Sequence, residues 1–154
     1  MTRDEEAMRL AIAEAQLALA TGDVPVAAVL LDADGSVLAT GRNEREKHQD
    51  PTAHAEVVAI RRAAATRGDW HLTGTTLVVT LEPCVLCAGA ILAARIPRVV
   101  FGAWDEKAGA AGSVYDLLRD RRLNHRAEVV GGVLEDECGR LLTDFFRAGE
   151  ASEL

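Results

Sequence analysis

The stretch that most constrains this chain is Leu81-Glu82-Pro83-Cys84-Val85-Leu86-Cys87. Two thiols three positions apart share one face of a helix, and a proline just ahead of them favours a helix start. The pattern predicts Cys84 and Cys87 in the opening turns of a helix running to about Arg95. A helix N-terminus presents unpaired N–H groups and partial positive charge, and both favour the thiolate that binds metal. Upstream, Thr52-Ala53-His54-Ala55-Glu56 adds one imidazole and one carboxylate.

His54, Cys84 and Cys87 make three ligands of the type zinc prefers. Structural zinc sites usually close with four protein ligands, whereas catalytic sites keep one position for a water that the metal acidifies. The chain offers no convincing fourth ligand. Cys138 lies far away in a leucine-rich helical pattern, and His48, His71 and His125 have no partner at metal-ligand spacing. Three ligands and an open position predict one catalytic zinc ion, with Glu56 carrying protons beside it. Positions i and i+2 of a regular helix point to nearly opposite sides, so His54 must sit in the first turn or just before it. Asp50-Pro51-Thr52 supplies cap candidates and a proline for such a start. Taken singly, a Cys-x-x-Cys is also compatible with a redox pair, a structural half-site or chance, and a lone His-x-Glu says little. Together, each opening a predicted helix after strand-like sequence, they are far more specific.

The 154 residues, 49% of them apolar, suffice for a real core, and we read residues 1–154 as a single zinc-dependent domain. No apolar run has the length of a membrane span, and the charged N-terminus lacks an apolar signal core. Three cysteines, two of them assigned to metal, suit a reducing compartment. The expectation is a cytoplasmic protein without membrane association. A net charge of −7 argues against a general nucleic-acid binder, which is usually basic, so any RNA partner must be held by a local patch.

Hydrophobic periodicity supplies the frame. Thr2-Arg3-Asp4-Glu5 resembles a capping box, followed by a helix to about Ala20 with Met8, Ile12, Ala15 and Leu19 on its inner stripe. Val24–Leu31 is a near-continuous apolar strand, buried on both faces, and Val37–Asn43 is its antiparallel partner across a turn at Asp32–Ser36. A helix over Ala53–Arg67 faces inward through Val57, Ile60 and Ala64. Strands follow at Thr75–Leu81 and Val99–Gly102, then a short helix at Val114–Leu118, a fifth strand over Glu128–Val133 and a closing helix over Asp136–Arg147. This order predicts an α/β chain, a three-layer α/β/α sandwich around a mixed five-stranded sheet. Sites in such sheets collect where strands end and helices begin. Asn43, at a strand end beside the metal motif, is a candidate for hydrogen-bonding a substrate. Phe145 and Phe146 are either core or a stacking surface for an exposed base.

Beyond the metal motif, Val24-Pro25-Val26, Asp50 to Glu56, Thr80 to Ala90, Arg98 to Ala103, Gly109 to Ser113, Leu123 to Arg126 and Asp144 to Arg147 resemble the bacterial tRNA-specific adenosine deaminases. Those enzymes are of the cytidine-deaminase-like superfamily, and H-x-E with P-C-x-x-C is the signature of zinc nucleobase deaminases. The resemblance runs from about Arg9 to Arg147. It implies hydrolysis of adenosine to inosine at the wobble position of tRNA, chiefly the arginine tRNA with anticodon ACG, by a homodimer holding one Zn2+ per subunit. It makes His54, Cys84 and Cys87 the zinc ligands and Glu56 the proton shuttle. It assigns Asn43 and the backbone of Ala55 to the purine, Val26 to the pocket wall and Asp105 to a ribose near the target. It assigns Phe145, Phe146 and Arg147 to a segment meeting the anticodon stem-loop. Ala27 stands where many members have Gly, and Trp104 where others have a polar residue. Cations at Arg42, Arg45, Lys47, Lys107 and in Arg119–Arg126 are expected to meet phosphate. Two other readings stand beside this one. A deaminase of a free base or nucleoside would share the zinc chemistry. A non-catalytic zinc-stabilised binding module would need a fourth ligand and would leave Glu56 idle.

Overall fold

The computed structural model describes residues 1–153, with side chains described through residue 149. The apolar runs pair into one sheet. β1 (Ala27–Leu31) lies between β2 (Val37–Arg42) and β3 (Thr76–Leu81), and β4 (Arg98–Ala103) and β5 (Glu128–Val130) complete the order β2-β1-β3-β4-β5. β1 is antiparallel to both neighbours, whereas β3, β4 and β5 run parallel, so the sheet is mixed as expected. Every residue of β1 is buried, the pattern of a strand covered on both faces.

Helices supply the two outer layers. On one face, α1 (Arg3–Leu17) and α5 (Glu135–Glu153) set Ala7, Met8, Ala11 and Cys138 against Val29, Val78 and Val100. On the other, α3 (Ala55–Arg67) and α4 (Val85–Ala93) set Ala59, Ala63, Ala88 and Ile91 against Leu30, Leu77, Val79 and Phe101. A four-residue helix, α2 (Arg45–His48), escaped the sequence reading. Its start is clipped by buried Asp23, whose carboxylate accepts the Glu46 and Lys47 N–H groups at 2.7 and 3.3 Å.

Several local expectations shift. The Thr2–Glu5 capping box forms in both directions, but the chain leaves α1 through a 3₁₀ turn at Ala18–Thr21 before Gly22 at φ 74°. That tighter turn rotates the stripe, and Leu19 is exposed rather than inward. The inner face of α3 is Val57, Val58, Ala59 and Ala63, with Ile60 and Ala64 only half-buried. The cause is Gly41 in β2, where any Cβ would collide with the backbone of Ala55 and Ala59, so helix and strand approach at that line. Residues 114–118 form turns, not a helix, because Leu117 and Tyr115 main-chain groups bond back to Ala110 and Gly112. β5 stops at Val130, since Gly131 lies flat against the Phe101 ring and Gly132 takes φ 84°.

Candidate active site

The three metal-type donors come from helix starts. His54 is the N-cap of α3, with extended backbone at φ −67°, ψ 153°. Asp50 shapes its approach by accepting the Thr52 N–H and hydroxyl at 2.9 and 2.8 Å. Cys84 is the N-cap of α4 and Cys87 lies in its first turn. Pro83 therefore stands one residue ahead of the cap instead of at the first helical position. Sitting outside the helix, His54 escapes the i, i+2 geometry, so its ring and the Glu56 carboxyl reach one space.

His54 Nδ1 lies 3.6 Å from Cys84 Sγ and 3.4 Å from Cys87 Sγ. Tetrahedral zinc with bonds of ~2.3 Å to sulfur and ~2.0 Å to nitrogen requires N–S separations of about 3.5 Å, so the donors fit that ion. Among the described residues no fourth His, Cys, Asp or Glu joins them, which leaves a coordination position for water.

The groups acidify or protect one another. Glu56 is 4% exposed, and burial above all, with the negative charge of Cys84, pushes its carboxyl up to about 7. Cys84 is pushed down to about 3, chiefly by a hydrogen bond from the Cys87 thiol and then by His54. Cys87 is pushed up, first by its bond to Cys84 and then by burial. Hydrogen bonding to Cys84 raises His54, against the effect of its burial. Negative charge is thus gathered where a cation sits best, and a bound cation would draw off the remaining thiol proton.

His54, Glu56 and Cys84 line a cavity of 210 Å³. Val24, Val26, Ala55 and Leu81 supply its apolar wall, and Asn43, Arg45, Asp105 and Ala108 also line it. Asn43 accepts the Arg45 N–H at 3.2 Å. Asp105 uses one oxygen for the N–H groups of Lys107 and Ala108, both at 3.1 Å. Phe146 lines a larger adjoining groove with Trp104, Lys107 and Arg140, which shares Val24, Leu81, Asp105 and Ala108 with the first cavity. Phe145 lies elsewhere, in a hollow with Gln16, Leu19 and Pro25, and Arg147 is exposed outside all three. Trp104 packs edge-on against Phe101 at 4.7 Å.

Much of the expected basic patch is already engaged. Arg42 bonds Glu14 at 3.0 Å, Lys47 bonds Glu44 at 3.1 Å, and Arg119 and Arg122 pair with Asp116 and Asp120. Arg45 and Lys107, at the cavities, form no ion pair among the described residues. Val24, Leu81, Glu82 and Ala108 were not among the expected site residues, and Glu82 alone of them is charged. Glu82 is a buried carboxylate, and although burial opposes its ionisation, hydrogen bonds from Ser113 and from the N–H groups of Asp105, Ser113 and Ala111 hold it below the usual range. The available signal was a charged residue closing an apolar strand, a place where charge is rarely buried without partners.

Comparisons with known proteins agree with this site. The zinc-binding region of cytidine and deoxycytidylate deaminases matches residues 1–103. The tRNA-specific adenosine deaminase of Bacillus subtilis (strain 168) is 50% identical over 147 residues, 96% of this chain and 91% of the relative. That of Haemophilus influenzae (strain Rd) is 47% identical over 144 residues, 94% and 83% of the two chains. A solved structure from work on A-to-I editing by tRNA:A34 deaminases superposes with a TM-score of 0.85 at 41% identity, covering 89% of this chain and 99% of the other. With its metal-type donors, buried carboxylate and near-complete alignment, this chain belongs to the tRNA-specific adenosine deaminase family and carries the zinc-binding region of cytidine and deoxycytidylate deaminases.

Proposed function

We propose that the chain hydrolyses adenosine to inosine at the wobble position of tRNA, chiefly the arginine tRNA with anticodon ACG, as a cytoplasmic homodimer formed from a single domain. The observation that carries this reading is Glu56, a buried carboxylate that lines a small cavity beside a three-donor metal cluster. His54, Cys84 and Cys87 hold the zinc, which when bound supplies an activated water at neutral pH.

Glu56 is placed for transfer in both directions, since burial lifts its carboxyl above the ordinary range in the metal-free site, toward the pH at which it must bind and release protons. It accepts a proton from the attacking water and delivers it to the purine N1, then takes the proton of the new C6 hydroxyl and passes it to the amino group, which leaves as ammonia. The balance is adenosine plus water giving inosine plus ammonia. Val26 and the Ala55 backbone confine the base, and Asn43 hydrogen-bonds its edge.

The cavity is sized for a single base. At 210 Å³ the cavity is smaller than the ~300–1,000 Å³ of sites that enclose a whole drug-sized ligand. One base enters, and ribose and phosphates stay at the mouth beside Asp105, Arg45 and Lys107. An unpaired loop base splays out at little cost, so an acidic protein needs only local contacts. Phe146 and, further off, Phe145 and Arg147 extend the surface toward the stem-loop. Dimerisation is supported by α4, whose residues are apolar throughout while Val85 and Leu86 are exposed at 51% and 42%. Such a face is normally covered, and covering it places a second copy beside the metal-binding helix.

The test is inosine formation in an ACG anticodon stem-loop by the zinc-loaded protein, run beside free adenosine, cytidine and guanine. Inosine at the first anticodon position, with the small molecules untouched, is expected. Ammonia from a small molecule and none from the stem-loop overturns the substrate while keeping the zinc site.

A further inference from the structure

We infer that Glu82 is a positioning residue for the substrate, a buried carboxylate that fixes residues 105–113, and with them Asp105, Lys107 and Ala108, at the mouth of the catalytic cavity. The inference rests on the proposed function for the identity of the substrate and on the geometry for the rest.

Residues 105–113 contain small residues and turns but no helix or strand, so their own bonds fix only the turn at Asp105–Gly109 and the path of the segment depends on outside partners. They wrap around Glu82, which is 2% exposed. One carboxylate oxygen accepts the Asp105 N–H at 3.0 Å and the Ser113 hydroxyl. The other accepts the N–H groups of Ala111 and Ser113, both at 3.0 Å. Both oxygens are thereby filled by donors from the two ends of the segment. Its middle is pinned by the Ala110 N–H, which donates to Pro83 at 2.8 Å, and by a bridge between Gly109 and Cys84. Gly109 lies so close that a Cβ there would collide with the Glu82 carboxyl.

The chemistry requires a carboxylate. It accepts at both oxygens, whereas an amide of the same shape turns an N–H₂ toward one pair of donors. An unmet buried N–H is costly, so the segment would shift to find other partners. That shift reaches the site because Glu82, Asp105 and Ala108 line the same cavity as His54 and Glu56. The turn that carries Lys107 is built on Asp105 itself, so Asp105, Lys107 and Ala108 move as one unit. His54 and Cys84 are the N-caps of α3 and α4 and Cys87 lies within α4, so those helices set their backbone, with Cys84 also bridged to Gly109.

The test compares Glu82→Gln and Ser113→Ala with the unaltered protein, all as zinc-loaded full chains. Three quantities are read: zinc per chain, amide exchange at Asp105, Ala111 and Ser113, and KM and kcat on the ACG stem-loop. Glu82→Gln is expected to keep its zinc and speed exchange at those amides. It should raise KM about tenfold, the loss of roughly one charge-assisted hydrogen bond, with kcat within about twofold. Ser113→Ala removes one donor and leaves the main-chain bonds, so its KM rises in the same direction by about threefold or less. Unchanged KM in a folded Glu82→Gln protein overturns the inference. So does loss of zinc in step with activity, which would make Glu82 a support for the metal. Should Glu82→Gln fail to fold, Ser113→Ala decides, and an unchanged KM there overturns it. If the unaltered protein does not deaminate the stem-loop, the substrate assignment fails and the RNA part of this inference with it, while exchange at the three amides still reports whether Glu82 holds the segment.

Discussion

Replacing Glu56 by Gln should separate what this residue does for the reaction from what it does to the fold. The carboxyl is almost fully buried, and burial raises it from 4.5 to about 7. In the unfolded chain it ionises near 4.5, so between that pH and 7 the unfolded state has lost a proton that the folded state retains. Stability is therefore fully present below 4.5, falls as pH rises through this window and levels above 7. At ~1.36 kcal/mol per pH unit the loss reaches about 3 kcal/mol. A glutamine has no such dependence. In chelator-treated protein, Glu56→Gln should match the unaltered chain at pH 4.5 and exceed it by up to about 3 kcal/mol at pH 8, read from urea midpoints. In zinc-loaded protein the same variant should keep its metal and lose about 10²–10⁴-fold in kcat, the usual share of positioned proton transfer. A stability difference that does not widen between pH 4.5 and 7 would refute the burial argument. Full turnover with full zinc would remove Glu56 from the mechanism.

Other expectations are simpler. Cys87→Ser should bind zinc more weakly, and an unchanged metal content on dialysis against a weak chelator would show that the ligand assignment is wrong. Gly41→Ala should destabilise by about 1–3 kcal/mol, as overpacking does, because the new methyl meets the Ala55 and Ala59 backbone rather than a movable side chain. An unchanged urea midpoint would contradict the close approach of α3 and β2. Arg98 donates twice to Asp4 at 2.8 Å, and that bond holds the Asp4 carboxyl below its usual 3.8. The resulting stability is present above pH 3.8 and lost as pH falls through the lowered value, so Arg98→Ala should cost about 0.5–1 kcal/mol at pH 7 and flatten the acid limb of the stability curve. Binding of the stem-loop should weaken with salt, but with a shallow slope of a few phosphates, since few cations at the cavity are unpaired. A flat response would exclude phosphate contacts altogether.

The mixed five-stranded sheet and the grouping of His54, Cys84 and Cys87 were legible because each rests on a spacing. A strand buried on both faces reads as an unbroken apolar run, and Val24–Leu31 contains one. Two cysteines at i, i+3 share a helix face, and the impossibility of i, i+2 convergence put His54 in the first turn of α3 or just before it, the second of which the N-cap position fulfils. The cap at Cys84 was harder, because a proline fits either at the first helical position or just ahead of the cap, and only backbone angles distinguish them. Leu19 misled because a 3₁₀ turn changes the period without changing the residues. The segment around Val114 has apolar residues enough for a helix, yet its neighbouring main-chain N–H groups at 111 and 113 are drawn to Glu82. Such partners leave no trace in residue types, since almost every residue carries an N–H. Phe145 and Phe146 are adjacent in sequence, and neither their order nor their type indicates which one opens toward the cavities.

The grip of Glu82 on the main chain has a bearing on how this surface changes over generations. The carboxylate reads backbone N–H groups and one hydroxyl, so side chains at Trp104, Glu106, Lys107 and Ala108 are not among its contacts. Of these, Glu106, Lys107 and Ala108 can be exchanged while the loop keeps its path, provided Glu82, Asp105, Gly109 and Ser113 stay, whereas Trp104 packs on Phe101. A scaffold of that kind separates shape from chemistry: a few positions preserve the outline, and the exposed ones between them are open to drift or to deliberate randomisation when a different nucleotide context is wanted.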